Sequence, residues 1–103
     1  MKQMENEMIY TERCRIYKRA IANFGGGAQV HKALEEFAEL QDALLKYLGD
    51  RDTLEHLAEE IADATIMVEQ LRLIFDVNER VKEIMNEKLR RLEQKVEANT
   101  VRV

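Results

Sequence analysis

No proline interrupts the 103 residues, and the four glycines fall in two places only, Gly25-Gly26-Gly27 and Gly49. With Ala, Leu, Glu, Lys, Arg, Met and Gln dominant, little but those glycines and a few polar turn residues can stop a helix, so an all-α chain is expected. The apolar pattern divides accordingly. Met4, Met8, Ile9, Tyr10, Cys14, Ile16, Tyr17, Ala20, Ile21 and Phe24 suit a first helix from about residue 3 to 23, closed by the glycine triplet. Val30, Leu34, Phe37, Leu40, Ala43, Leu44 and Leu48 mark a second from about 28 to 48, which Gly49 ends. Asp52-Thr53-Leu54-Glu55 reads as a D-x-x-E capping box opening a third, about 53 to 75, and Asp76-Val77-Asn78-Glu79 as a second box opening a fourth, about 77 to 98. The fourth is expected to turn Val81, Ile84, Met85, Leu89, Leu92 and Val96 inward, and Thr100 to Val103 to form a loose tail. From Ile61 to Phe75 the third helix is apolar round most of its circumference, which calls for contacts on several sides and points to an oligomer. Met4, Met8, Met67 and Met85 read as core filling, and Cys14 as a small buried hydrophobe.

A chain of this length makes one domain, residues 1–103, arranged as an antiparallel four-helix bundle-like unit. A formal charge of −4 argues against a nucleic-acid partner held by bulk electrostatics. A single cysteine builds no disulfide framework within one chain and suits a reducing, cytoplasmic setting. No signal peptide is expected at the N-terminus, nor any membrane span, since no apolar run reaches about 18 residues.

Two acidic motifs stand inside the apolar patterns: Glu35-Glu36-Phe37-Ala38-Glu39 on the second helix and Glu59-Glu60-Ile61-Ala62-Asp63 on the third. Residues three apart share a helix face, so Glu36 with Glu39, and Glu60 with Asp63, each form a two-carboxylate claw. At ~1.5 Å per residue, Glu39 and Glu36 sit roughly 15 and 20 Å before Gly49, while Glu60 and Asp63 sit roughly 12 and 17 Å after Asp52. In a hairpin the claws meet at similar height. Four converging carboxylates repel one another unless a cation or protonation neutralises them, and hard oxygen ligands favour Mg²⁺, Mn²⁺ or Ca²⁺. Either motif alone is ordinary solvated charge more often than a metal site; their pairing beside Phe37, Ala62 and Ala64 reverses that balance. His31 and His56 read as surface or capping residues. Neither completes a Glu-x-x-His pair, which disfavours a di-iron carboxylate bundle.

These residues resemble the all-α nucleoside triphosphate pyrophosphohydrolases of the MazG-like superfamily, whose mark is EExxE followed by ExxD. The likeness runs from Phe24-Gly25 and Gln29 through both acidic motifs to Asn86-Glu87-Lys88-Leu89-Arg90-Arg91-Leu92, covering about residues 24 to 95. It implies a MazG fold and Mg²⁺-dependent hydrolysis of a nucleoside triphosphate between the α and β phosphates, giving the monophosphate and pyrophosphate, with Mn²⁺ as a substitute metal. Carried over by position, Glu36, Glu39, Glu60 and Asp63 are the metal ligands, and Glu35 and Glu59 support them or activate the attacking water. Lys88 and Arg91, with Asn86 beside them, hold the phosphates; Phe24, Tyr17 and Gln29 are candidates for the base region. Leu89 and Leu92 depart from the aromatic residues common at these positions, so base stacking there is in doubt. The resemblance also implies a homodimer or homotetramer. The competing reading is a non-catalytic oligomeric helical adaptor whose glutamates only solubilise it.

Overall fold

The computed structural model describes residues 8–101, which form four helices and no strand: α1 Tyr10–Phe24, α2 Gly26–Leu48, α3 Leu54–Ile74 and α4 Asn78–Val101. Among the described residues no helix is long and apolar enough to cross a membrane. The expected start near residue 3, and Met4 with it, lies outside the described residues. Met8 and Ile9, expected within the first helix, precede it instead. Ile9 is extended (φ −69°, ψ 156°), and its carbonyl accepts from the Glu12 and Arg13 N–H groups at 3.1 Å each. At the other end α4 runs through Thr100 and Val101, where a loose tail was expected, and the Thr100 hydroxyl donates to the Val96 carbonyl at 2.8 Å.

Each turn has an identifiable cause. Gly25 (φ 91°, ψ 146°) occupies backbone space open to glycine. Its N–H donates to Ile21 O at 2.8 Å and its carbonyl accepts from Gln29 N–H at 3.1 Å, so one residue closes α1 and opens α2. Gly49, expected as the stop of the second helix, has an ordinary φ of −91°; the left-handed residue is Asp50 (φ 57°). Asp50 N–H donates to Tyr47 O and Arg51 N–H to Lys46 O, the paired bonds of a Schellman ending. α3 closes in the same way, with Asp76 left-handed (φ 51°), its N–H donating to Leu73 O and Val77 N–H to Arg72 O. The expected box at Asp52 is displaced by one residue. Thr53 caps α3, its hydroxyl accepting from His56 N–H at 3.1 Å, while Asp52 accepts from Thr53 N–H at 2.7 Å.

α2 and α3 make the most extensive contact, antiparallel. Ala33, Ala43 and Ala64 let the backbones approach, with Leu57 and Met67 filling between them. A buried amide pair fixes the register: Gln29 Nε2 donates to Gln70 Oε1 at 2.7 Å. α1 lies against both helices and is clamped to α3 by Glu69, which receives Arg13 Nε and Nη2 at 3.0 Å each and the Tyr17 hydroxyl as a further donor. Among the described residues α4 touches α3 alone. Val81 and Ile84 are half-buried there, but Met85, Leu89, Leu92 and Val96, expected to face inward, are 47–57 % exposed because no other helix among the described residues reaches them. Met67 is core, as expected; Met8 and Met85 are exposed, and Cys14 is half-buried. The several-sided contacts expected of α3 are made by α1, α2 and α4, although Ile61, Ile66 and Val68 stay exposed.

Candidate metal centre

The α2–α3 register that pairs Gln29 with Gln70 brings Glu36 opposite Glu60 and Asp63, two helical turns along. One carboxylate oxygen from each of these three lies within 4.8 Å of the others. Glu36 and Glu60 are only 6 % and 9 % exposed, whereas Asp63 is open to solvent, so the cluster has a closed floor and an accessible mouth. Two of its oxygens, Glu36 Oε2 and Glu60 Oε2, are buried without a hydrogen-bond partner. An anionic oxygen in that state loses its hydration and gains nothing in return, an arrangement that normally persists only where a cation or ligand completes it. Glu39 is not one of the converging three. It is exposed one turn from Glu36, and the charge of Glu36, then partial burial and the charge of Glu60, raise its pKa above the ordinary glutamate value.

Two basic side chains brace the cluster, one from each helix, both four residues before the acid they touch. Lys32 Nζ is 3.0 Å from Glu36 Oε1, and His56 Nε2 is 3.2 Å from Glu60 Oε1. His56 Nδ1 also lies 2.6 Å from Asp52 Oδ2. A carboxylate at each ring nitrogen favours the imidazolium; the Asp52 contact foremost raises the His56 pKa, and the same contact lowers that of Asp52. Sequence reasoning set His56 aside as a capping or surface residue. The signal it passed over is a repeated spacing, cation-x-x-x-acid-x-x-acid, carried by Lys32, Glu36 and Glu39 and again by His56, Glu60 and Asp63.

The remaining candidates divide. Glu35 and Glu59 are exposed beside the cluster. Phe24, Gln29, Lys32 and Glu35 line one shallow groove with Ala28 and His31, adjoining the cluster at Lys32. Tyr17 belongs elsewhere, in the groove formed by Arg13, Glu69 and the Ala62–Ile66 face of α3. Gln29 is occupied by its bond to Gln70. Asn86, Lys88 and Arg91 are fully on the surface of α4, which makes no contact with α2, and among the described residues none of the three bonds to the acidic cluster.

Three oxygens from two rigid helices, with hard donor chemistry and a solvent-facing side, suit a small divalent cation that retains water and a ligand oxygen in its outer positions. No family model, curated protein or solved structure matches the chain.

Proposed function

We propose that the chain is a Mg²⁺-dependent nucleoside triphosphate pyrophosphohydrolase of the MazG-like kind, working in the cytoplasm as a homo-oligomer whose helices complete four-helix bundle-like units. One observation carries the proposal: Glu36 and Glu60, on facing helices, each keep a buried, unpartnered carboxylate oxygen and converge with the exposed Asp63, one oxygen of each lying within 4.8 Å of the others. The resemblance of the two acidic motifs to EExxE and ExxD supports the same conclusion.

Glu36, Glu60 and Asp63 would hold the metal directly, with Glu39 joining from the exposed edge; Mn²⁺ would serve as well as Mg²⁺. Bound there, the ion would lower the pKa of a coordinated water and neutralise charge on the phosphate oxygens. Glu35 and Glu59 would orient that water. Phe24 offers an exposed aromatic face to the base at the far end of the adjoining groove. Asn86, Lys88 and Arg91 would serve the phosphates of a site on a neighbouring subunit.

The test is pyrophosphate release from ribo- and deoxyribonucleoside triphosphates with Mg²⁺, alongside Glu36→Gln and Asp63→Asn proteins. Monophosphate and pyrophosphate from the parent, lost in both variants, is expected. Equal turnover in all three would remove the site. The exposed apolar residues of α4 also suit a second reading, a non-catalytic adaptor. That reading requires no turnover on any nucleotide and no rise in melting temperature with Mg²⁺, which a native-state ligand would produce.

A further inference from the structure

Asp52, His56 and Glu60 follow one another at intervals of four, so they line up along the first turns of α3 and lead into the carboxylate cluster. The His56 ring stands between two carboxylates, with Nδ1 2.6 Å from Asp52 Oδ2 and Nε2 3.2 Å from Glu60 Oε1. Its backbone is fixed as well. His56 N–H donates to the capping Thr53 hydroxyl, and Asp52 Oδ1 accepts from Thr53 N–H. Turning the ring away from Glu60 would therefore also give up its contact with an anchored Asp52. The matching contact on α2 has no such anchor: Lys32 Nζ lies 3.0 Å from Glu36 Oε1, but on a flexible stem that is 54 % exposed.

The contact makes the two oxygens of Glu60 unequal. Oε1 is engaged by the imidazole, and Oε2 is buried without a partner. An ion entering the cluster finds one oxygen of Glu60 free, not two. That difference separates ions of equal charge. Mg²⁺ takes about six ligands in a tight octahedron, at about 2.0–2.1 Å, and uses one oxygen from a carboxylate; Mn²⁺ accepts the same octahedral oxygen set. Ca²⁺ takes about six to eight ligands at about 2.3–2.6 Å and readily fills that larger shell with carboxylates gripped by both oxygens. We propose that His56, anchored by Asp52, sets the metal specificity of the centre by holding Glu60 to a single oxygen, which favours Mg²⁺ and Mn²⁺ over Ca²⁺. His56 is a positioning residue: it touches no metal and acts through Glu60. This inference rests on the metal centre of the reading above and adds the choice among ions to it.

The experiment is calorimetric titration of the full chain with Mn²⁺ and, separately, with Ca²⁺, for the parent and for His56→Leu, His56→Lys and Asp52→Ala proteins. The parent is expected to prefer Mn²⁺. In His56→Leu the ratio of Mn²⁺ to Ca²⁺ affinity should fall at least tenfold, chiefly through tighter Ca²⁺ binding. His56→Lys, which offers Glu60 the same kind of contact that Lys32 gives Glu36, should recover most of the ratio. Asp52→Ala leaves the Thr53 cap in place but frees the ring, so the ratio should fall there too, and this variant decides the matter if His56→Leu does not fold. Loss of a nearby positive charge alone would tighten both ions alike and leave the ratio unchanged. That result, or a parent that binds Mn²⁺ without preferring it, overturns the proposal while the hydrolase reading stands. A parent that binds neither ion removes the metal centre, and this inference with it.

Discussion

Glu60 shows how much a single carboxylate at this site costs the free protein. Its Oε2 is buried and unpartnered, and Glu36 and Asp63 crowd the same space. Glu60→Gln leaves an acceptor for His56 and removes one negative charge. The metal-free variant should melt higher by a few degrees, a gain on the order of 1 kcal/mol, and should lose the stabilisation that Mg²⁺ gives the parent. Thermal melts with and without Mg²⁺ measure both; a lower metal-free melting temperature would mean the cluster is not held under repulsion. The Glu69 clamp makes a different demand on pH. Arg13 foremost lowers the Glu69 pKa below its ordinary 4.5, so its stabilisation is present above pH 4.5 and is lost as pH falls through the lower folded value. Burial first, then the Glu69 contact, pushes Tyr17 from 10.0 up to about 12, so its contribution is complete below pH 10 and is lost as pH rises through about 12. Denaturation across pH should therefore show an acid limb that weakens in Glu69→Gln and an alkaline limb that weakens in Tyr17→Phe. An unchanged acid limb in Glu69→Gln would show that the clamp does not hold α1. The clamp was not legible beforehand, because it joins residues 52 and 56 positions apart; Tyr17 was named, but for the base region.

At the scale of the helix, the residues of the glycine triplet expected to close the first helix are not interchangeable. Gly25 alone has a positive φ, and a Cβ there would meet no atom within 4 Å, so the obstacle to a side chain is the backbone conformation itself. Gly27 lies inside α2 in open space. Gly25→Ala should cost about 1–3 kcal/mol, and Gly27→Ala should instead stabilise by roughly 0.5 kcal/mol, as urea denaturation would report. Equal effects would mean that the turn is not set at Gly25. Helix number and approximate extent were legible because breakers and apolar period coincide. The boundaries shifted where side-chain chemistry replaced the expected signal: Asp50, not Gly49, takes the left-handed position, and Thr53, not Asp52, caps α3. The acidic motifs were legible for the same periodic reason, since spacing of three and a short hairpin fix their height. Glu39 departs because Glu36 already occupies the line facing α3, leaving the second member of that claw on the rim.

The molecule as a whole does not bury what its sequence prepares for burial. Its radius of gyration is 17.2 Å, against about 13 Å for a compact domain of this length, and α4 accounts for much of the excess by leaving α3 soon after the turn. Of the face of α4 expected to turn inward, only Val81 and Ile84 are half-buried; the rest of the stripe meets no other helix among the described residues. Met85, Leu89, Leu92 and Val96 follow one another at intervals of four, three and four, the spacing of a coiled-coil seam. Exposed at that density, such a seam suits an interface, and the proposed partner is a second copy. Leu34, Leu44 and Leu48 on α2 and Leu54, Ile61 and Val68 on α3 add two more uncovered apolar rows. Light scattering should give at least twice the mass of one chain, and Leu89→Lys with Leu92→Lys should lower it toward a monomer. The three carboxylates come from α2 and α3 of one chain, so the Mg²⁺-dependent rise in melting temperature should survive in that variant. Pyrophosphate release should fall steeply, because Asn86, Lys88 and Arg91 have no contact with the acidic cluster of their own chain and would reach only that of a neighbour. Full turnover by a demonstrable monomer would mean that α4 contributes nothing to the phosphates.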